Sequence, residues 1–274
     1  MTPHEPHTLE AQRLRLGYDG PDIVHDLTTS VPPGRITAIL GANASGKSTL
    51  LRGMARLLEP RAGSVLLDGA SVHAMRSIEV AKVLGLLPQQ PVAPDGITVA
   101  DLVGRGRYPH QGWFRRWTPD DEAAVASALE ATGTAELVDR PIAELSGGQR
   151  QRVWIAMALA QQAQVLLLDE PTTFLDINYQ VEVLDLLTDL NRASGTTIVM
   201  VLHDLNLACR YADHVIAMKD GAIVVEGAPR DVITAEVVEE VFALRCDVLA
   251  DPRSGTPMIV PIGRHHAQSP ARIR

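Results

Sequence analysis

Eight consecutive residues, Gly41-Ala42-Asn43-Ala44-Ser45-Gly46-Lys47-Ser48, follow the pattern G-x-x-x-x-G-K-[ST] of a loop that cradles phosphate. In such a loop backbone N–H groups and a helix N-terminus face the phosphates, Lys47 reaches the β and γ oxygens, and the Ser48 hydroxyl ligates Mg²⁺. A second stretch, Val165-Leu166-Leu167-Leu168-Asp169-Glu170, is apolar and ends in two acids. Asp169 at a strand end can hold Mg²⁺ through water, and Glu170 can polarise the water that attacks the γ-phosphate. An Asp-Glu pair after a strand also serves as an ordinary helix cap. The third stretch, Leu145-Ser146-Gly147-Gly148-Gln149-Arg150-Gln151, reads in two ways. Ser146 can N-cap the helix that follows, or Ser146, the backbone of Gly147 and Gly148 and the helix end with Gln149 can form a second anion site. One γ-phosphate is not easily approached by both loops of a single chain, so the second reading implies two chains sharing each nucleotide.

These residues need elements to place them. Arg35–Leu40 is β-branched and apolar and runs into Gly41, while apolar residues from Ser48 to Leu58 recur at helical spacing, giving strand, loop and helix in order. Thr8 to Val31 reads as short antiparallel strands broken by Gly and Pro. Between Pro88 and Pro141 the chain reads as a mostly helical insert, with a helix from Pro119 to Gly133. Alternation then resumes: helix Gln149–Gln161, strand Val165–Leu168, helix Asn178–Ala193, strand Thr196–Leu202, and a hairpin Val215–Val225 turning through Asp220-Gly221. The chain has 274 residues, 46% hydrophobic but only 4% aromatic. An aliphatic core of that kind suits a parallel sheet covered by helices, hence an α/β fold.

A formal charge of −8 opposes indiscriminate attraction to nucleic acid. Cys209 and Cys246 form no metal-binding or disulfide framework, which favours a reducing compartment. Met1–Gln12 is polar, unlike a secretory signal, and the apolar runs fall short of the ~20 residues a spanning helix needs.

The phosphate loop, the Leu-Ser-Gly-Gly-Gln element and the Asp-Glu strand, in this order and spacing, resemble the nucleotide-binding subunit of an ATP-binding cassette (ABC) transporter from about Leu9 to Gly263. The resemblance implies a single ABC ATPase domain over 1–263, with a P-loop NTPase core (1–88 and 162–263), an N-terminal antiparallel β part and a helical signature part (89–161), then a flexible tail, 264–274. It implies ATP and Mg²⁺ as ligands, with Thr49 beside Ser48 in the binding loop. Tyr18 looks like the aromatic that stacks on adenine. Gln89, with Gln90 as its alternative, looks like the glutamine that bridges Mg²⁺, attacking water and the permease-facing loop. Phe174-Leu175-Asp176 resembles the segment that crosses to the partner chain, with Asp176 near its nucleotide, and His203 resembles the γ-phosphate sensor. Ala42 and Ala44 depart from the usual Gly-Pro-Asn-Gly.

Arg107-Tyr108-Pro109-His110-Gln111, Trp154–Gln161, Asp169–Asp176 and Ser254–Met258 look like ATPases of iron(III)-siderophore importers, with haem and vitamin B12 importers as nearest relatives. The implied partners are a second copy of the chain, a separate transmembrane permease and, indirectly, an extracytoplasmic substrate-binding protein, with no nucleic acid. The implied location is peripheral, on the cytoplasmic face of the membrane. Trp113, Phe114 and Trp117 beside Arg105, Arg107, Arg115 and Arg116 suit a permease-docking surface, or equally local packing and a solvated face. An ABC-type ATPase acting on DNA or ribosomes is the competing class; against it, no sustained heptads separate Lys47 from Ser146 and the chain holds one cassette.

Overall fold

Every residue of Ile36–Gly41, Val165–Asp169 and Thr197–Val201 is buried, as strands covered on both faces require. The computed structural model describes residues 6–111, 116–173 and 175–265. In chain order it runs β1 (Leu9–Leu16), β2 (Val24–Val31), β3 (Ile36–Gly41), α1 (Lys47–Met54), β4 (Ala62–Leu67), β5 (Ala70–Ser71), α2 (Ser77–Val83) and β6 (Leu84–Leu87). The helical stretch follows with α3 (Val99–Gly104), a 3₁₀ turn (Arg105–His110), α4 (Pro119–Ala131) and α5 (Gly147–Ala160). Then come β7 (Val165–Asp169), α6 (Ile177–Ser194), β8 (Thr197–Val201), α7 (Leu205–Tyr211), β9 (His214–Lys219) and β10 (Ala222–Gly227). The chain closes through α8 (Pro229–Val232), α9 (Ala235–Phe242) and the hairpin β11 (Cys246–Ala250) and β12 (Pro257–Pro261).

The main sheet has the order β10-β9-β3-β8-β7-β6 and is parallel except for the β9–β10 hairpin. An antiparallel sheet, β2-β1-β4-β5, packs over one of its faces. Successive residues of β3 point to opposite faces. Leu40 therefore joins Trp154, Ile155 and Leu187 from the helical side, while Ile39 joins Leu14, Leu27 and Leu50 beneath the antiparallel sheet. The expected β10 hairpin turns through Asp220 and Gly221, both at positive φ (48° and 77°), as a tight Asp-Gly turn demands.

Several elements differ from the sequence reading. α1 stops at Met54 rather than Leu58, because Arg56 turns left-handed (φ 61°) and the Leu57 and Leu58 N–H groups fold back onto the Arg52 carbonyl. β4, β5, β11 and β12 carried no strong local signal, whereas α9, capped by Thr234 and burying Val238 and Val241, was missed despite one. For Arg107 the structure selects the packing alternative over docking: it is buried, its Nε donating to Asp121 Oδ1 at 2.9 Å and its Nη1 to the Ala160 carbonyl and Gln162 Oε1. The guanidinium holds the Asp121 carboxyl below the usual carboxylate range. Arg105, Arg116 and Trp117 are exposed. Trp113, Phe114, Arg115, Phe174, His266 and the rest of the tail lie outside the described residues. Among the described residues no helix is long and apolar enough to cross a membrane.

Candidate nucleotide site

The phosphate loop leaves β3 through Gly41 (φ 154°), where a Cβ would lie 2.4 Å from the Met218 carbonyl oxygen and 2.5 Å from Ser45 Oγ; only glycine passes there. Gly46 (φ 97°) opens α1 and offers no side-chain cap, so the N–H groups of the first turn face outward as an anion seat. Lys47 is buried, and its Nζ donates to the carbonyls of Gly41 and Ala42, both at 2.9 Å, drawing the ammonium across the mouth of the loop. Burial pushes its pKa down, against the charges of Glu170 and Asp169. Asn43 is exposed, Ser45 buried, and Thr49 buried on α1.

Ala44 sits at φ 63°, a region where an L-residue costs roughly 1–2 kcal/mol. Ala44→Gly should relieve that strain, less the entropy glycine loses on folding, for a net gain of about 0.5–1 kcal/mol. Scanning calorimetry should show Tm rising by about 1–2 °C.

β6, β7 and β8 are adjacent and parallel, so the segments leaving their carboxyl ends stand side by side: Gln89 after β6, Glu170 after β7, His203 after β8. β3 lies next to β8, which brings the phosphate loop to the same edge, the usual crevice for ligands in such sheets. Ser48 Oγ donates to Asp169 Oδ1 at 2.8 Å. Burial raises the Asp169 pKa, with Glu170 adding to the rise and the Ser48 bond opposing it. Glu170 moves the other way. Burial, the largest influence, would raise its pKa, but bonds from His203, Gln89 and Thr173, with the His203 charge, bring it below the usual range. His203 Nε2 stands 2.7 Å from Glu170 Oε1, and Thr173 Oγ1 donates to Oε2 at 3.0 Å. Gln89, rather than the exposed Gln90, faces this carboxylate. Glu170 caps no helix; it occupies a left-handed turn (φ 55°), a backbone state that clusters at active sites.

The Ser146 element is assembled elsewhere. Ser146 caps α5 in a reciprocal box, accepting from the Gln149 N–H at 3.3 Å while its own N–H donates to Gln149 Oε1 at 3.1 Å. Ser146 and Gly147 are exposed, and among the described residues no hydrogen bond joins them to the phosphate loop. A Cβ at Gly147 would meet nothing within 4 Å, so folding of this chain does not require glycine there. Gly148 lies against Leu175 and Tyr179, residues on either side of Asp176, the cap of α6. Tyr18 is 44% exposed, its hydroxyl accepting from Arg52 on α1 at 3.0 Å and its carbonyl from the Arg61 guanidinium. Sequence reasoning assigned no role to Thr173 or Gln151. Thr173 reaches Glu170, and the Gln151 amide donates to the Pro171 carbonyl at 2.8 Å, tying α5 to the Asp-Glu turn. Spacing gave a hint only for Thr173, three residues beyond a carboxylate.

With this geometry in place, the pattern of the family described as ABC transporter matches residues 24–173. The chain belongs to the ABC transporter family. The cassette is 52% identical to the ferric enterobactin transport ATP-binding protein FepC of Escherichia coli (strain K12), across 93% of this chain and 94% of that one. It is 50% identical to the achromobactin transport ATP-binding protein CbrD of Dickeya dadantii (strain 3937), across 97% and 98%. Its fold superposes on the dimeric structure of the bacterial ABC transporter cassette MJ0796 with a TM-score of 0.73 and 26% identity, covering 80% of this chain and 98% of that one. The cassette is thus an ATP-binding subunit and an ATPase, with the P-loop fold, antiparallel sheet and helical insert expected from its sequence.

Proposed function

We propose that this cassette hydrolyses ATP, as a pair of copies beneath a separate membrane permease, to drive import of iron(III)-siderophore complexes. The observation that carries the catalytic part is the alignment of the phosphate loop, Asp169, Glu170, Gln89 and His203 along one sheet edge. The cargo rests on relatives at 50–52% identity named for transport of ferric enterobactin and achromobactin.

In this reading Tyr18 stacks on adenine, and the triphosphate lies on the backbone of Gly41 to Ser48 with Thr49 behind it. Lys47 leaves its two loop carbonyls for the β and γ oxygens, exchanging neutral acceptors for charged ones. Ser48 and Asp169 fit a hard cation: both offer oxygen, and Asp169 is a buried carboxylate beside a second acid. They would hold Mg²⁺, with Gln89 as a further residue serving the ion, and the metal would supply positive charge to offset that of the phosphates. Glu170, kept ionised by its donors, accepts a proton from the attacking water, while His203 steadies it from the γ-phosphate side. Phosphoryl transfer asks for positioning and charge stabilisation more than covalent help.

The exposed Ser146-Gly147 end of α5, with half-buried Gly148 and Gln149 as its brace, closes with Asp176 over the nucleotide of a second copy. A glycine that the fold does not need is what close approach of a partner's phosphate would require. Ser146→Arg should abolish steady-state ATP hydrolysis while the isolated chain keeps its ATP affinity; full activity would remove the shared site from this reading. The cassette sits peripherally on the cytoplasmic face of the membrane, contacts no nucleic acid, and meets the extracytoplasmic binding protein only through the permease. The whole proposal is tested by reconstituting it in vesicles with the membrane proteins encoded beside its gene. ATP-dependent uptake of radio-iron siderophore that is lost with Glu170→Gln supports it. Hydrolysis without iron movement overturns the cargo and leaves the ATPase.

A further inference from the structure

Glu170 must present one carboxylate oxygen to water in a fixed direction, yet its terminal torsion is intrinsically soft, with two broad wells. An anchor on one oxygen leaves that rotor free to swing about the anchor. His203 Nε2 holds Oε1 at 2.7 Å, and His203 is itself 45% exposed on a surface segment. Beside the bond from Gln89, a further anchor comes from Thr173, whose Oγ1 donates to Oε2 at 3.0 Å. The same residue donates its backbone N–H to the Glu170 carbonyl at 3.2 Å. That bond closes the turn in which Glu170 adopts its left-handed φ of 55°. Thr173 therefore braces Glu170 twice, through main chain and side chain, from three residues away. β-branching restricts χ1 of threonine, so its hydroxyl is itself held in place.

We propose that Thr173 is a positioning residue for hydrolysis: its hydroxyl on one oxygen, with His203 on the other and Gln89 as a further donor, sets the plane of the Glu170 carboxylate. The inference rests on the reading of Glu170 as the base, and it assigns Thr173 no contact with nucleotide. Misplacing a reacting group by about an ångström costs on the order of 10²-fold in rate, and a freed rotor samples the right orientation part of the time.

The test uses the full-length chain and steady-state ATP hydrolysis. Thr173→Val keeps shape and β-branching but loses the hydroxyl, and should lower kcat about tenfold with KM for ATP within about twofold of wild type. Thr173→Ser restores the donor and should hold kcat within about threefold of wild type. In a Glu170→Gln background, Thr173→Val should add no further loss, because it acts through the carboxylate. Unchanged kcat in Thr173→Val, an equal loss in Thr173→Ser, or a further loss in the double variant would each overturn the inference. Those outcomes beside an inactive Glu170→Gln leave the base assignment standing. If Glu170→Gln itself turns over normally, the base assignment is what has failed, and this inference falls with it.

Discussion

Glu170→Gln is expected to bind ATP as tightly as wild type and to lose about 10²–10⁴-fold in kcat, the range a single general base supplies. Glutamine keeps the volume and one oxygen acceptor, so the turn around φ 55° and at least one of the bonds from His203 and Thr173 can persist. What disappears is the negative charge and the ability to take a proton. Because Lys47, Ser48 and Asp169 are untouched, equilibrium titration should give wild-type ATP affinity, and the variant should accumulate as an ATP-bound dimer by size-exclusion chromatography. Retained kcat would show that another group activates the water.

The second large effect is at Lys47. Its ammonium is buried and held at the loop by two carbonyls, which it exchanges for charged phosphate oxygens when nucleotide arrives. A hydrogen bond to a charged group is worth roughly 1.5–3 kcal/mol. Lys47→Ala should therefore weaken ATP about 10- to 100-fold in a calorimetric titration. Losing the lysine also removes two loop hydrogen bonds, so the thermal midpoint must be measured beside the affinity. Wild-type affinity in a folded variant would contradict the phosphate-loop assignment.

How much of this was legible beforehand differs from residue to residue. Gly41, Gly46 and Lys47 were readable because the loop they form is local: strand, turn and helix are encoded within a dozen neighbouring residues and need no distant partner. Ser146 was readable as a helix cap for the same reason, and its box with Gln149 is a four-residue event. Arg107 stood open between a docking surface and local packing, since an arginine among aromatics reads either way until Asp121 and the Ala160 carbonyl are seen to enclose it. β4, β11 and β12 escaped because short strands take their identity from the strands beside them rather than from their own composition.

The sequence by itself determined the chemistry on offer: a phosphate-binding loop, an acid pair after an apolar strand, a capped glycine-rich helix start, and an α/β core. Only the tertiary structure decided how they meet. Strand order is set by burial on both faces and by crossover connections, so β3, β8, β7 and β6 become neighbours although long stretches of chain separate them. That order brings Gln89 and His203 to Glu170, and the path of the chain after β6 turns Gln89 rather than Gln90 toward it. It also sends Asp169 and Glu170 in opposite directions in acidity: burial dominates at one carboxylate, and three donors from different parts of the chain dominate at the other.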